Sequence, residues 1–449
     1  MVPGLSDLGI LARRPRIALR VKTGWYARQM TNVTGRGAVV QQDVTPAHTA
    51  ILAPFAAAVA LALLLGLQPV MTDLYLPALP LLARELVAPM SAVQLTMSGL
   101  ILAFGLFQLV WGPVADRFGR RPVLLGSLVL LVLASIGTCL SSQIGWLIAW
   151  RAAQGAAMAA AIVCARAMVR DLYEPHQGAR VMSLGLSGLA VMAIGSPLLG
   201  GVLATGLGWR GALVAVACYA AIVLVYVWRV LPETLARRNP RALHAPTLVA
   251  NTAQVLAHPG FRAWALLISA TYGGLFTLLS ASSFVYIEVL GLTPAQYGLA
   301  MASGSVSYLF GTFTCRRWLL RVGLIGAVRR GALFSLLGGL GMLACALLPA
   351  LTTVPLVLAA QWLFAFGHGI HQPCGQTGAV GPFPQMAGLA AALAGCLLAL
   401  TAFGVGLWLG WAMDGTLAPM AFGIAFWGAA TATVAWTLVP RHGQPPKLA

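Results

Sequence analysis

One carboxylate of this sequence, that of Asp73, has a position from which it could bind and release a proton. Asp73 lies late in a long apolar run and is followed by the amphipathic stretch LYLPALP. If that run crosses a bilayer, an ionised acid inside it costs about 2.5–3.5 kcal/mol, so such an acid is a functional candidate by default. Withdrawal from water favours the neutral form of a carboxyl group, which lets it bind and release a proton near neutral pH. The alternative is a helix-end residue at the membrane surface, since a helix could stop at Asp73.

Arg151 is the one cation well inside an apolar run, here residues 145–167. At a rise of about 1.5 Å per residue, it lies roughly 9 Å from the nearer end of that run. Asp73 should lie in the same half of the membrane, so the two charges could communicate. Gln154 and Gly155 follow Arg151 on the same helix. The alternative is an arginine whose side chain extends outward to the membrane surface.

The charged stretch GPVADRFGRRPV, residues 112–123, separates two long apolar runs. Arginines in such a turn can serve only as a topology anchor, because they hold a loop on the cytoplasmic side. That alternative does not explain the acid, or the glycine one turn before it. The glycine permits close helix approach, and the acid could cap a neighbouring helix or pair with an arginine. The residues of this candidate latch are Gly112, Asp116, Arg117, Gly119, Arg120 and Arg121.

A proline among small residues marks the run 181–205. The proline removes one helical hydrogen bond and the glycines permit tight packing, so a bend is expected here. Ordinary glycine-mediated packing is the alternative. The residues concerned are Gly195, Ser196, Pro197, Gly200 and Gly201.

The elements that must position these groups are membrane-spanning helices. Of the 449 residues 59% are hydrophobic and 8% are charged, and the mean hydropathy is +0.86. A water-soluble globule could not cover its surface with so few polar groups. The apolar residues form runs of about 20, the length of a spanning helix. The prediction is an all-α polytopic membrane protein with twelve spans at 53–76, 92–113, 122–141, 145–167, 181–205, 211–231, 263–289, 297–317, 326–348, 353–379, 386–411 and 418–438.

The charges predict the orientation of these spans. The net charge is +18, and with twelve alternating spans all but three of the 28 Lys and Arg fall on one side. Cytoplasmic loops collect Lys and Arg, so both termini should be cytoplasmic. The basicity therefore indicates topology and contact with anionic membrane lipid rather than nucleic acid. The three exceptions are Arg84, Arg151 and Arg210.

The chain divides into two groups of six spans. Residues 1–49 form a basic cytoplasmic tail without an apolar core, and a start at Met30 is an alternative beginning. The first half is 50–231, the cytoplasmic linker 232–262, the second half 263–440 and the cytoplasmic tail 441–449. Six-plus-six halves with a central substrate site are common among transporters.

Several other signals predict no site. The seven cysteines lie in or beside apolar runs and indicate buried thiols rather than a disulfide framework. His368, His371 and Cys374 recur at helical spacing but lack a carboxylate or a second ligand pair, so no metal is expected. Glu288 and Asp414 lie near outer helix ends, with Asp414 as a second candidate proton carrier. No Walker A stretch is present, so ATP is not expected to drive this protein.

Longer stretches carry a resemblance to a known family. The turn described above resembles the signature between spans 2 and 3 of the major facilitator superfamily. Further stretches resemble the Bcr/CflA drug-resistance group of proton-coupled efflux transporters, over residues of about 50 to 440. They are DLYLPALP (73–80), LIAWRAAQG (147–155), CARAMVRDLY (164–173), SPLLGG (196–201), SSFVYIEVLGLTP (282–294) and HQPCGQTGAVGPFPQMAG (371–388).

The resemblance implies alternating access. The turn would then be a cytoplasmic latch, with Asp116 facing the cytoplasmic start of span 11. It also implies that Asp73, Arg151 and Gln154 serve proton coupling or substrate response. In span 5 the family's antiporter signature has a glycine where this chain has Ser196, which weakens the inference of export alone.

The predicted function is a monomeric multidrug antiporter of a bacterial inner membrane. It exports small drug-like or amphipathic molecules in exchange for protons, with the proton gradient as energy source and no cofactor. One acid among apolar residues suits amphipathic or cationic cargo better than a dicarboxylate. The alternative is a proton-coupled transporter of a metabolite such as a sugar or amino-acid derivative. An intramembrane enzyme would need a nucleophile–base or metal constellation, which the sequence lacks. A receptor would not need an intramembrane acid.

Overall fold

The computed structural model describes residues 53–444, so the predicted tail 1–49 and part of the predicted tail 441–449 lie outside the described residues. Nearly all of the described chain is helical, which confirms the predicted fold class. Ten of the described helices are long and apolar enough to cross a membrane. They are α1 (Pro54–Thr72), α2 (Met90–Phe118), α3 (Arg120–Leu140), α4 (Ile144–Leu172), α5–α6 (Pro175–Val230), α7 (Pro259–Phe284), α8–α9 (Pro294–Leu347), α10 (Val354–Val380), α11 (Ala387–Ala412) and α12 (Ala418–Trp436).

Two of these helices are each long enough for two crossings, with 56 residues in α5–α6 and 54 in α8–α9. Each is interrupted by a glycine with a positive φ, 68° at Gly208 and 69° at Gly323. Glycine adopts this backbone conformation without the steric penalty of other residues. The chain reverses at both positions, so the described residues make twelve crossings, as predicted. The arms are α5 (175–207), α6 (209–230), α8 (294–322) and α9 (324–347).

Contacts with α1 demonstrate the reversal at Gly208. Gly188 of α5 lies against Ala62 of α1. Tyr219 of α6 donates a hydrogen bond to the carbonyl of Leu63 at 2.9 Å. A straight helix could not bring both arms to the same turn of α1, because residues 188 and 219 would stand about 46 Å apart at 1.5 Å per residue.

Several helix boundaries and one additional helix differ from the sequence-based expectation. The helix α1 ends at Thr72, before the predicted end at residue 76. A separate short helix, Leu79–Glu85, follows it in the chain. The helix α4 runs to Leu172, beyond the predicted 167, because its arginines lower the hydropathy while remaining good helix formers. The linker contains a helix, Ala245–Ala257, that is too short to cross a membrane.

We call the helices α1–α6 the first half and α7–α12 the second half. The basic end of the bundle is the end that carries the α2–α3 turn with Arg117, Arg120 and Arg121. The far end is the opposite end, where the short helix Leu79–Glu85 lies. Large apolar side chains are exposed on the outer helices, as expected for a surface that faces lipid.

The two halves meet through α2 with α11 and α5 with α8. Small residues bring the backbones together. A Cβ on Gly410 would lie 2.8 Å from Ser91, and a Cβ on Gly105 would lie 2.2 Å from the Cβ of Ala399. Glycine at such positions allows membrane helices to pack at close range. Toward the basic end this contact stops, since a Cβ on Gly112 would have no atom within 4 Å.

Candidate functional site

Asp73 is the residue that follows the last turn of α1. Its backbone N–H donates to the carbonyl of Pro69 at 2.7 Å, and the hydroxyl of Thr72 donates to its Oδ1 at 2.7 Å. The helix ends here because Pro77 cannot continue it without losing a backbone hydrogen bond. Residues 74–80 are buried, so Asp73 lies within the bundle rather than at its surface, although it stands at a helix end.

The side chain of Asp73 is partly accessible, whereas Thr72 and Leu74 on either side of it are buried. Its carboxylate lies within electrostatic range of the phenol groups of Tyr272 and Tyr297, which belong to α7 and α8. Among residues 53–444 no Lys, Arg or His approaches it within ion-pair distance. Asp73 therefore faces the second half as an acid without a cationic partner.

Arg151 is fully buried and donates hydrogen bonds only to neutral groups. Its Nη1 reaches the carbonyl of Met71 at 2.9 Å and the Oε1 of Gln154 at 3.1 Å. Its Nε reaches the carbonyl of Thr96 at 3.3 Å, and its guanidinium lies 4.4 Å from the ring centre of Tyr75. The arginine therefore ties α4 to α1 and α2, and the alternative of a side chain extended to the surface does not hold in this structure.

The bond to Met71 places Arg151 at the C-terminal end of α1. The last carbonyls of a helix lack partners within the helix, and a cation there is favoured by the helix dipole. Asp73 follows Met71 by two residues, so the acid and the arginine act on the same turn without forming an ion pair. Gln154 completes the cluster, because its Nε2 donates to the hydroxyl of Ser135 on α3 at 2.9 Å.

The α2–α3 turn depends on a glycine. Gly119 has a φ of 112°, in the left-handed range that favours glycine, and this residue separates the two helices. A Cβ here would also lie 2.5 Å from the carboxylate of Glu233. That carboxylate accepts the backbone N–H groups of Arg120 and Arg121 at 3.0 and 3.2 Å, and so caps the start of α3.

The charges of this turn pair within the first half. Arg120 contacts Asp116 at 2.7 Å and Asp171 at the end of α4 at 3.2 Å. Arg121 donates to the carbonyl of Trp228 at 2.9 Å. Arg117 is exposed. The predicted approach of Asp116 to the start of α11 is not made by the described residues, and neither is the close helix contact at Gly112, so both stay predictions for a second conformation.

The proline and glycines of α5 lie at the contact between the halves. A Cβ on Gly201 would meet the carbonyl of Pro294 at 2.5 Å, and a Cβ on Gly298 would meet the carbonyl of Pro197 at 2.4 Å. Gly200 instead approaches the backbone of Leu74, just after the end of α1, and Gly195 has open space around it. These residues therefore serve close packing, while the predicted bend at Pro197 stays a prediction.

An ion pair at the far end was not predicted from the sequence. Arg84 donates to Glu288 at 2.9 Å and joins the first half to the second. A second contact between the halves is made by Gln94, whose Nε2 donates to the carbonyl of Ser280 at 2.9 Å. No local signal identifies such a pair, because its members are 204 residues apart in the sequence.

The polar residues of α10 are engaged in packing. The imidazole of His368 lies 3.0 Å from the hydroxyl of Thr271, and that of His371 lies 3.2 Å from the carbonyl of Val328. The thiol of Cys374 lies 3.3 Å from that of another buried cysteine on α8. Within residues 53–444 no group of three His, Cys, Asp or Glu is arranged to hold a metal ion.

Asp414, the second candidate proton carrier, lies in the turn between α11 and α12. Hydrogen bonds from the side chain and backbone of Thr416, at 2.7 and 2.9 Å, lower the pKa of Asp414 from its usual value. It is exposed at the far end of the bundle.

Sequence comparison relates the chain to drug-resistance proteins. The model described as Major Facilitator Superfamily matches residues 61–403. The chain is 31% identical over 346 residues to multidrug resistance protein D of Escherichia coli (strain K12), which covers 75% of this chain and 84% of that protein. It is 28% identical over 372 residues to the bicyclomycin resistance protein homolog of Haemophilus influenzae, covering 81% and 90%. It is also 28% identical over 327 residues to the chloramphenicol resistance protein of Pseudomonas aeruginosa, covering 72% and 76%.

Solved structures share the architecture. The D-xylose–proton symporter superposes with a TM-score of 0.66 at 17% identity, over 87% of this chain and 99% of that one. The human organic anion transporter MFSD10 gives a TM-score of 0.64 at 18% identity, over 86% and 99%. At these identities the likeness concerns the fold alone.

Proposed function

The chain belongs to the major facilitator superfamily, and from that premise we propose that it is a proton-coupled antiporter that exports small drug-like or amphipathic molecules by alternating access. Members of this superfamily carry small molecules across membranes, so the chain is a multi-pass transporter rather than an enzyme. Its relatives include proteins named as a bicyclomycin resistance protein homolog and a chloramphenicol resistance protein, and this supports drug export over transport of a sugar.

The position of Asp73 carries the proposal. It is a partly accessible acid without a cationic partner among the described residues, and it faces the second half from the end of α1. An acid in this position can carry a proton, and its surroundings change when the halves move. Coupling requires such a change, because a proton can shift a conformational equilibrium only if its affinity differs between the two states.

We place the basic end in the cytoplasm, because cytoplasmic loops collect Lys and Arg. The protein would lie in a bacterial inner membrane with both termini inside, as a monomer in contact with anionic lipid. Substrate enters from the cytoplasm, and the halves rock to expose it at the far end. Protonation of Asp73 from the far side favours release, and deprotonation toward the cytoplasm resets the carrier. The proton gradient supplies the energy and no cofactor takes part.

A susceptibility and accumulation assay tests this function. Wild type, Asp73→Asn and Glu85→Gln are expressed in an efflux-deficient strain and challenged with chloramphenicol and bicyclomycin. Wild type and Glu85→Gln, which alters an exposed far-end acid, are expected to lower drug accumulation. Asp73→Asn is expected to lose this effect at equal membrane abundance. The proposal is wrong if wild type changes neither susceptibility nor accumulation, or if Asp73→Asn matches wild type.

A further inference from the structure

Arg166 is a cation that the mechanism above does not use. It is exposed, although it belongs to the membrane-spanning helix α4. At about 1.5 Å per residue it lies roughly 22 Å from Arg151 along the helix, toward the basic end. A charged side chain inside a spanning helix normally faces a partner or a water-filled space rather than lipid.

The neighbours of Arg166 on α4 show which way it points. On one flank, Val169 lines a small cavity together with Leu61 of α1. On the other flank, the carbonyl of Ala156 accepts a hydrogen bond from the indole N–H of Trp111 on α2 at 2.8 Å. Arg166 leaves the helix between these two directions. It therefore projects between α1 and α2, of which α2 contacts the second half through α11.

Three of the four described acids at the basic end are already engaged elsewhere, and the fourth, Glu174, is exposed and forms no ion pair with Arg166. Asp116 and Asp171 both contact Arg120. Glu233 accepts backbone N–H groups at the start of α3. Among residues 53–444 no carboxylate forms an ion pair with Arg166. Its guanidinium is thus a free donor of several hydrogen bonds in a fixed planar arrangement.

The second half offers Arg166 no carboxylate either. The sequence from 259 to 440 contains only two acids, Glu288 and Asp414. Both lie at the far end, the first in the pair with Arg84 and the second in the α11–α12 turn. When the basic end closes, Arg166 would lose water without gaining an opposite charge. Burial of an unpaired charge is strongly unfavourable, so something else must neutralise it.

We propose that Arg166 binds an anionic group of the transported molecule, a carboxylate, sulfonate or phosphate carried on an organic body. The guanidinium forms paired hydrogen bonds with such groups, and lysine lacks this geometry. The bound anion supplies the charge that closure of the basic end otherwise lacks. This inference rests on the proposed transport function and extends its cargo to organic anions, beyond the amphipathic or cationic cargo expected from Asp73 alone.

Binding to the full-length purified protein in lipid nanodiscs tests this site without a proton gradient. The probes are carboxyfluorescein and rhodamine 123, which share a xanthene body and carry opposite charges. Fluorescence anisotropy gives the Kd for wild type, Arg166→Gln, Arg166→Lys and Arg229→Gln. The last removes an exposed arginine from the basic end of the outer helix α6 and serves as the matched control.

We expect Arg166→Gln to bind carboxyfluorescein about tenfold more weakly than wild type, a loss of ~1.4 kcal/mol. Rhodamine 123 should bind it as well as wild type or better, which also shows that the variant is folded. Arg166→Lys should recover part of the anion affinity, and Arg229→Gln should match wild type. Equal anion binding by wild type and Arg166→Gln, or no anion binding by wild type, overturns the inference.

The transport assay separates this inference from the proposed function. If the protein binds carboxyfluorescein through Arg166 but does not lower drug accumulation, the proposed proton-driven export is wrong and the proposed anion site is retained. Protein that exports drugs but binds both dyes independently of Arg166 would do the reverse.

Discussion

The far end and the basic end of the bundle use their charges in different ways. At the far end, Arg84 and Glu288 join the two halves. At the basic end, Arg120 joins Asp116 and Asp171, all within the first half. The same division holds for small residues, since α2 packs tightly on α11 near the far end and has open space at the basic end.

In this arrangement the two halves are in contact at the far end and separate at the basic end. Contacts between the halves hold the far end closed, while the residues of the α2–α3 turn stabilise the first half alone. If the protein alternates as proposed, the far-end contacts break when the basic end closes. Substitutions at the two ends should therefore have opposite effects on the conformational equilibrium.

The largest effect is expected when a valine replaces Gly105 of α2. Gly105→Val would push a side chain into Ala399, whose Cβ lies 2.2 Å from the position of the new Cβ. Overpacking costs about 1–3 kcal/mol, so the population of the closed far end should fall about 5- to 150-fold. Spin labels at positions 88 and 292, across the far end, would report longer distances, and export would be lost.

Gly112→Val is the matched variant at the basic end. It has no atom within 4 Å of the new Cβ, so the present structure should accept it. If α2 and α11 approach each other when the basic end closes, this variant blocks the opposite state and also stops export. The same shift of the label distances in both variants would contradict the division between the two ends.

A smaller effect is expected from Arg120→Gln. The change removes the only described partner of Asp116 in an ion pair and leaves Asp171 without its cation. Because Asp116 and Asp171 are partly exposed, each pair contributes roughly 0.2–1 kcal/mol, so the melting temperature in detergent should fall slightly. Because these contacts lie within the first half, the far-end label distance should stay that of wild type.

Arg117→Gln is the control for this change, since Arg117 belongs to the same turn but is exposed. It should melt close to wild type. A far-end opening in Arg120→Gln would mean that the turn acts across the halves in this conformation, contrary to the contacts described here.

The spans could be predicted because each corresponds to a continuous run of apolar residues in the sequence. The predicted runs 181–205 and 211–231 fall on α5 and α6, and the reversal between them lies in the stretch GLGWRG at Gly208. Runs of apolar residues and the placement of Lys and Arg depend only on nearby positions. Even so, the end of α4 was placed too early, because an arginine interrupts an apolar run without interrupting a helix.

The contacts that define the site could not be predicted in the same way. Arg151 was identified by its place in an apolar run, but its acceptors include the carbonyls of Met71 and Thr96. Every residue has a carbonyl, so no side-chain pattern marks these partners. The ion pair of Arg84 with Glu288 could not be predicted either, because it depends on how the two halves pack together, and the sequence of one half alone does not determine that packing.

A still smaller effect is expected from Glu288→Gln, which breaks that pair. Both side chains are accessible, with 70% of Arg84 and 34% of Glu288 exposed. Exposed ion pairs contribute roughly 0.2–1 kcal/mol, so the closed far end should lose population by a factor of about 1.5 to 5. Arg210→Gln is the control, because its pair with Glu85 lies within the first half. High salt should remove the difference between wild type and Glu288→Gln, since salt screens exposed charges.

The smallest effect is expected from Asp414→Asn, which separates the two candidate proton carriers. The pKa of Asp414 is lowered by its hydrogen bonds from Thr416. A lowered pKa means that the acid stays ionised at neutral pH, and that its stabilising contribution is lost only as the pH falls through that pKa. Asp414 therefore cannot exchange a proton across the pH range in which Asp73 is proposed to work. The pH dependence of export in everted vesicles should be unchanged in Asp414→Asn, whereas Asp73→Asn should show no export driven by a pH gradient. The opposite result would assign the proton to the far-end turn, and Asp73 at the end of α1 would then have no role in coupling.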